Sequence, residues 1–233
     1  MKSYPDIPDL GLGYLATALR EKGFEVDILG WNHRLRIEDF RDYVRKEQPN
    51  ICGIKVFTHN FDAAIKTLSI IKSTNPWIVT VIGGPHPSSS DPTETMDDFH
   101  EADFAFRGDA EVGFPALVEE LSGRGFNSRY KALEPWIVRE IPGLIWRENG
   151  MVHANPPLFA EDLDTLGLPS WDLLDPKYYH FYRIDEGDTQ GYVAPIMTTR
   201  GCPLTCTYCS VAFVNGKTIR RRSVGSVIEE IDL

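Results

Sequence analysis

Cysteine is scarce in this chain, with four in 233 residues, too few for a disulfide scaffold of this length. Long apolar runs are missing too. No stretch approaches the roughly 18 uncharged apolar residues that cross a bilayer, and the opening MKSYPDIPDL lacks the apolar core of a secretion signal. A cytoplasmic protein that makes no use of a membrane is expected. Positive charge is in deficit, 24 Lys and Arg against 34 Asp and Glu, so the basic surplus of a non-specific nucleic-acid binder is absent. No Walker-type phosphate loop and no recognisable Ser-His-Asp set appears. Asp162 and Asp164 lie in a linker with nothing to mark them as an acid/base pair, so no catalytic side chain is assigned.

What is present is ordinary globular material: 42% hydrophobic, 11% aromatic and 25% charged. The length suits one large domain, or one domain with part of another. Charge is unevenly spread. From Gly191 to the end there are five basic and three acidic residues, whereas the first 190 residues carry 19 and 31.

Residues 10–125 alternate in period. Leu12, Leu15, Ala16 and Leu19 make a helical stripe that stops at Gly23, a C-cap residue. Phe24–Leu29 reads as a strand. Ile37, Phe40, Tyr43 and Val44 mark a second helix ended by Pro49, and Ile51–Phe57 a second strand. Phe61, Ala64, Ile65, Leu68 and Ile71 give a third helix, followed by strands at Trp77–Gly83 and Asp103–Phe106 and a helix at Phe114–Leu121. Strands starting at 24, 51, 77 and 103 repeat every 26 or 27 residues, the length of one βα unit. Near-continuous apolar strands imply burial on both faces. The pattern predicts an α/β fold, a Rossmann-like doubly wound parallel sheet with ligands beyond the C-terminal strand ends. Only nine residues precede the first helix and they include two prolines. Either the sheet lacks an opening central strand or the chain begins inside a longer one.

Downstream, Ile141–Pro157 reads as a hairpin around Asn149-Gly150. The acidic, proline-containing stretch after it reads as a linker. After Gly191 a strand, YVAPIMTT, runs into a cysteine cluster, and Ser223–Leu233 starts a helix. The expected organisation is residues 1–140 as the Rossmann-like domain, 141–190 as hairpin and linker, and 191–233 as the start of a further domain.

The strongest chemical signal is Thr198–Ser210, in which Cys202, Cys206 and Cys209 stand as C-x3-C-x2-C with no fourth Cys or His downstream. Thiolates are soft ligands suited to zinc and iron–sulfur clusters. A structural zinc wants four protein ligands, so three on one loop leave it short, yet they suit a cubane cluster with one iron open. Zinc and uncoordinated thiols stay as the alternatives. Gly83 and Gly84, at the end of a predicted strand, would let a ligand approach bare backbone, or would simply permit a sharp turn. Thr58, after the preceding strand, would reach the same crevice, or merely neighbour a helix N-cap at Asn60. His33 and His59 read as ordinary loop residues. Cys52, in an apolar strand, reads as a small core hydrophobe. Lys217 and Arg220–Arg222 would attract an anionic ligand or redox partner, but such a run is more often a solvated face and stays unassigned.

The cysteine loop resembles the signature of radical S-adenosylmethionine enzymes, C-x3-C-x-aromatic-C entered from a strand, with Tyr208 as the aromatic. The resemblance implies a partial TIM barrel, of which residues 191–233 would be the beginning. It further implies a 4Fe–4S cluster on Cys202, Cys206 and Cys209, S-adenosylmethionine on the open iron with Tyr208 beside its adenine, and one-electron reduction that releases a 5′-deoxyadenosyl radical. Upstream, the chain is similar to radical enzymes that carry an N-terminal cobalamin-binding domain. LGLGYLATALREKGFEVDIL, the turn Gly83-Gly84-Pro85-His86-Pro87-Ser88, the turn Arg107-Gly108-Asp109-Ala110-Glu111 and the linker all contribute. By that resemblance Thr58, Gly83, Gly84, His86, Ser88, Gly108 and Glu111 would contact cobalamin. His86 would line the tail pocket or satisfy backbone groups and not ligate cobalt, because the Asp-x-His-x-x-Gly run of histidine-ligating proteins is missing.

The implied activity is methyl transfer to an unactivated carbon or phosphorus, with a small-molecule substrate and an external one-electron reductant. A ring-forming or oxidative cyclase of the same architecture, and a corrinoid or iron–sulfur binding module without chemistry, remain the alternatives. About 42 residues follow Gly191, room for one βα unit of roughly 30 residues where such a barrel needs about six. The chain is therefore expected to be the N-terminal portion of a longer protein and not to complete catalysis alone.

Overall fold

A computed structural model of the chain describes residues 7–30, 37–123, 125–126, 135–174, 180–182, 190–192 and 194–233. The proposed absence of an opening strand concerns residues 1–6, and His33 and part of the YVAPIMTT strand fall at 33 and 193. All of these lie outside the described residues. The chain forms two compact units that interleave in sequence, one of residues 1–34, 161–200 and 220–233 and one of 35–160 and 201–219.

The larger unit is built on apolar strands that pair in parallel. β1 (Ile51–Lys55), β2 (Val79–Gly83) and β3 (Phe104–Phe106) lie side by side in chain order, and the antiparallel hairpin β4 (Leu144–Glu148) and β5 (Met151–Ala154) continues the sheet beyond β3. The hairpin turns at Asn149 and Gly150, both at positive φ (51° and 77°), the conformation that a two-residue turn needs to match strand twist. Alternate residues of the inner strands feed opposite faces. Val79, Val81, Phe104, Phe106, Leu144 and Trp146 pack with Leu117 and Leu121 of α6 (Ala110–Gly123) and with Ile137 and Val138 of α7 (Pro135–Val138). Ile82, Ala105 and Ile145 pack on the other side with Ala64 and Leu68 of α3 (Phe61–Thr74) and Met96 of α5 (Pro92–Asp98). Both faces are therefore helix-covered, and the expected α/β class holds. A further helix, α2 (Ile37–Glu47), buries Phe40 and Val44.

An ion pair sits at the entry end of the sheet. Lys72 Nζ of α3 donates to Asp103 Oδ2 (2.6 Å) and to the Ile78 carbonyl (2.7 Å). The same carboxylate oxygen accepts from the Thr80 amide and hydroxyl (2.8 and 3.0 Å). The two side chains are only 14% and 7% exposed. The pair thus ties α3, β2 and the start of β3 together, and neither charge can be removed alone without stranding the other.

In the smaller unit, α1 (Leu10–Glu21) ends as expected. The Gly23 amide bonds the Arg20 carbonyl and the Phe24 amide the Leu19 carbonyl, with Gly23 at φ 83°. Its buried face is rotated from the apolar stripe: Gly13, Tyr14, Ala16 and Leu19 are buried, while Leu12 and Leu15 are half-buried. The linker causes this, because a Cβ on Gly13 would stand 2.6 Å from Leu174 Cδ1 and 2.9 Å from Pro169 Cβ. Phe24–Leu29 is not a strand. Its residues alternate between half-buried and exposed up to Ile28, but alternation specifies a face, and no described backbone pairs with it. β6 (His180–Tyr182) pairs with β7 (Gln190–Tyr192), and β8 (Thr199–Arg200) with β9 (Arg220–Arg221). Among the described residues of the YVAPIMTT segment, only Tyr192 and Thr199 at its two ends are strand. Helix α9 (Val224–Ile231) starts at the Ser223 cap, whose Oγ accepts from the Ser226 amide.

The basic run is a solvated face only at Lys217 and Arg221, which are exposed. Arg200, Arg220 and Arg222 are buried. Arg222 pairs with the buried Glu230 and donates to Tyr14 Oη and the Met197 carbonyl (3.3 Å each). Trp171 Nε1 donates to the same Glu230 (3.1 Å), and the Arg200 guanidinium lies over the Tyr14 ring. The carboxylate on α9 and the phenol on α1 draw in charges that the composition places at the surface. Among the described residues no helix is long and apolar enough to cross a membrane.

Two outcomes follow. Lys72→Met should lower the urea unfolding free energy by about 3 kcal/mol, the usual cost of stranding one member of a buried pair; a loss within about 0.5 kcal/mol would mean that Asp103 is solvated. Cys52, half-buried in β1, has its thiol pushed up to about 12 by desolvation, with Lys72 acting weakly in the other direction. Folded Cys52 thus keeps a proton that the unfolded chain releases near pH 8.5, so its contribution is intact below that pH and is lost as pH rises towards 12. Between pH 7 and pH 10 the chain should lose about 1–2 kcal/mol more than Cys52→Ala, and equal losses would contradict the burial of the thiol.

Candidate functional site

Parallel pairing brings the C-terminal ends of β1, β2 and β3 to one edge, and most of the expected cobalamin residues lie there. The chain leaves β1 through a turn closed by Asn60, whose Oδ1 accepts from the Phe57 amide (2.8 Å) and whose Nδ2 donates to the Lys55 carbonyl (3.2 Å). Asn60 therefore sits at the N-cap position of α3 without capping it, its side chain being spent on the turn behind it. That turn presents Thr58, exposed, with Oγ1 3.2 Å from His86 Nδ1. The His86 ring stands edge-on to Phe61 and Phe99 (5.3 and 5.8 Å between centroids). Thr58 and the two aromatic rings fix its orientation and leave Nε2 as its other polar atom.

The two glycines after β2 differ. A Cβ on Gly83 would make only ordinary contact with Phe106, whereas one on Gly84, at φ 101°, would stand 3.0 Å from Lys55 Cγ and 3.1 Å from the Val56 carbonyl. Gly84 is the position where bare backbone is required. It lets the His86 amide reach the Val56 carbonyl (3.0 Å) and short helix α4 (Pro85–Ser89) begin at once. Ser88 is buried. Its Oγ donates to the Gly84 carbonyl (2.8 Å) and accepts from the Gly108 amide (3.1 Å), which joins the turn after β2 to the turn after β3. Asp109 and Glu111, both buried, lie just before and within the first turn of α6, where the helix dipole favours negative charge. Thr58, Gly84, His86, Ser88 and Gly108 thus fall in one neighbourhood. A strand-end edge with backbone laid bare at Gly84 and polar side chains at Thr58 and His86 fits a polar, nucleotide-like tail.

The three cysteines share one loop, Gly201–Ile219, in the same compact unit as the sheet. Cys202 and Cys209 are half-buried, Cys206 is exposed and none is in a disulfide. Gly201 at φ 94° opens the loop where a Cβ would collide with the Thr218 carbonyl. The Cys202 amide donates to the Gly216 carbonyl (3.1 Å) and the Cys209 amide to the Cys206 carbonyl (3.2 Å). Short helix α8 (Val211–Val214) follows and packs against α4. Tyr208 is 91% exposed. Among the described residues no three His, Cys, Asp or Glu side chains are gathered closely enough to hold a metal ion; loop and turn bonds bring the thiols to one place without converging them. Three free thiols within eight residues still fit a soft metal by donor chemistry, and metal binding itself commonly supplies the closing free energy.

Asp162 and Asp164 are spent on structure. Asp162 accepts from the Asp164 amide (3.0 Å), and the Asp164 carboxylate from the Ser223 amide (3.0 and 3.2 Å). Hydrogen bonds from Ser223, side chain first and then backbone, hold Asp164 below the ordinary carboxylate range. Asp164 and Ser223 border a shallow cavity also lined by Gly167, Leu168, Ser226 and Glu229, and no expected site residue lines it. Sequence patterning did not mark Phe159, which touches the turns at both Gly108 and Gly216; an aromatic in an otherwise acidic and proline-containing linker was the only cue.

Comparison with known proteins agrees with this geometry. Residues 1–118 match the B12-binding domain family. The chain is 34% identical to an uncharacterized methyltransferase of Pyrococcus horikoshii, over 97% of its own length and 45% of that protein's. It is 28% identical to cytidylyl-2-hydroxyethylphosphonate methyltransferase of Streptomyces wedmorensis, over 95% and 47% respectively. The chain therefore spans about half the length of these relatives. Among solved structures, the cobalamin-dependent S-adenosylmethionine radical enzyme OxsB with aqua-cobalamin bound superposes with a TM-score of 0.72, covering 96% of this chain and 28% of that one at 19% identity, a likeness of fold. The matched family model spans half of the residues, including all three parallel strands and the Gly84 turn, and the chain belongs to the B12-binding domain family.

Proposed function

We propose that this chain carries the corrinoid-binding sheet and the iron–sulfur loop of a cobalamin-dependent radical S-adenosylmethionine methyltransferase. The observation that carries the reading is that the C-x3-C-x2-C loop and the B12-binding sheet form one compact unit, with α8 packed on α4. Two relatives named as methyltransferases match over nearly the whole chain, which supports methyl transfer. The substrate is proposed to be a small molecule methylated at an unactivated carbon or phosphorus, with an external one-electron reductant.

Cys202, Cys206 and Cys209 would hold the cluster as thiolates, and Tyr208 would lie beside S-adenosylmethionine. Gly84 would admit the corrinoid tail to the backbone, with Thr58 and His86 as its polar neighbours and the Ser88 bridge between Gly84 and Gly108 holding the turns. Bound together, the cofactors supply one-electron cleavage of S-adenosylmethionine and transfer of a methyl group. The protein's part is to orient and enclose them. Gly83 and Glu111 stay in the proposed set as neighbours on the same two turns.

Anaerobic reconstitution of the chain with iron, sulfide and a reductant tests this. About four irons per chain with broad visible absorption are expected, and Cys202→Ala, Cys206→Ala and Cys209→Ala should each lose most of that iron. Zinc as the sole bound metal, or iron retained in all three variants, would contradict the reading.

A further inference from the structure

Phe159 lies between two glycines that both stand in the left-handed region. On one side is Gly108 (φ 75°), in the turn after β3, where a Cβ would come within 3.2 Å of Phe159 Cε1 and 2.7 Å of Pro157 Cβ. On the other is Gly216 (φ 78°), in the cysteine loop, where a Cβ would stand 3.1 and 3.2 Å from Phe159 Cγ and Cδ2. One flat ring therefore bears on bare backbone at both turns, and a side chain at either glycine would push it away.

Both turns are connected onward. The Gly216 carbonyl accepts from the Cys202 amide (3.1 Å). The Gly108 amide donates to Ser88 Oγ, which donates to the Gly84 carbonyl. α4, which carries Ser88, packs against α8, which starts two residues after Cys209. One path of direct contacts thus runs from Gly84 through Ser88, Gly108, the Phe159 ring and Gly216 to Cys202, beside the α4–α8 contact. Close-packed interiors have little slack, so restraint at one end of such a path is felt at the other.

We propose that Phe159 is a positioning residue that couples the two cofactor sites: it holds the cysteine loop at a fixed spacing from the β3–α6 turn, so that corrinoid binding at the strand ends restrains Cys202. By linkage, whatever factor corrinoid binding adds to metal affinity at the cysteines, a metal there adds to corrinoid affinity. The proposal rests on the corrinoid reading above, and its test is separable from it.

The metal-free chain is labelled anaerobically with iodoacetamide, in dim light, with and without saturating methylcobalamin, whose carbon–cobalt bond leaves no exchangeable upper position for a thiol. Alkylation of Cys202 is followed by mass spectrometry, and uptake of methylcobalamin is measured separately by equilibrium dialysis. In the wild-type chain methylcobalamin should slow Cys202 alkylation about fivefold, the lower end of ordinary coupling between sites. In Phe159→Ala and Phe159→Leu the slowing should fall below about twofold, with methylcobalamin affinity within about threefold of wild type. A purely structural role would lower the melting temperature and leave the ligand dependence in place. Phe159→Leu keeps much of the apolar volume and so serves if Phe159→Ala unfolds. Slowing that persists in Phe159→Leu overturns the proposal, as does a wild-type chain that binds methylcobalamin without slowing. A wild-type chain that takes up no methylcobalamin overturns the corrinoid reading itself, and the proposal with it.

Discussion

Parallel pairing of three short apolar strands under helices on both faces is the constraint from which the rest follows. Because β1, β2 and β3 run in the same direction, all three release the chain at one edge, and every connection back to the next strand must start there. The turns at Thr58, Gly84 and Gly108 are those starts. Burial on both faces leaves β2 and β3 little polar surface of their own, so polar chemistry gathers where the strands end. The Lys72–Asp103–Thr80 cluster holds the opposite, entry side of β2 and β3 in register.

Glycine does specific work on that edge. Gly84 passes the chain close over the Val56 backbone at a φ that a side chain would strain, and the close passage allows His86 to bond the Val56 carbonyl and Ser88 the next turn. The cysteine loop uses the same device at Gly201 and Gly216. Tight backbone approach at both places, with an aromatic ring spanning Gly108 and Gly216, gives two binding regions distant in sequence a common mechanical frame within one unit.

Much of this was legible in the sequence because local patterns carried it. The 26-residue repeat located β1, β2 and β3, although β2 starts at Val79 because Trp77 belongs to a turn in which its amide bonds Asn75 Oδ1. Asn149-Gly150 gave the hairpin, Gly23 the end of α1 and Ser223 the start of α9. The cysteine spacing marked its loop outright. What stayed hidden depends on partners far along the chain. Phe24–Leu29 has a strand's alternation, but pairing is not a local property. Arg222 looks solvent-bound until Glu230 and Tyr14 are placed beside it. Asn60 reads as a helix cap, yet the β1 exit turn claims its side chain. Phe159 carries no motif at all; its role comes from which two glycines it meets.

The central claim is that a corrinoid is held at the shared exit edge of the parallel strands. Amide hydrogen exchange of the chain with and without methylcobalamin addresses it most directly. The account predicts added protection at Thr58, at Gly83–Ser88 and at Arg107–Glu111, with the amides of Lys72, Thr80 and Asp103 at the entry end unchanged. Binding without protection at those turns, or with protection at the entry end instead, would contradict it.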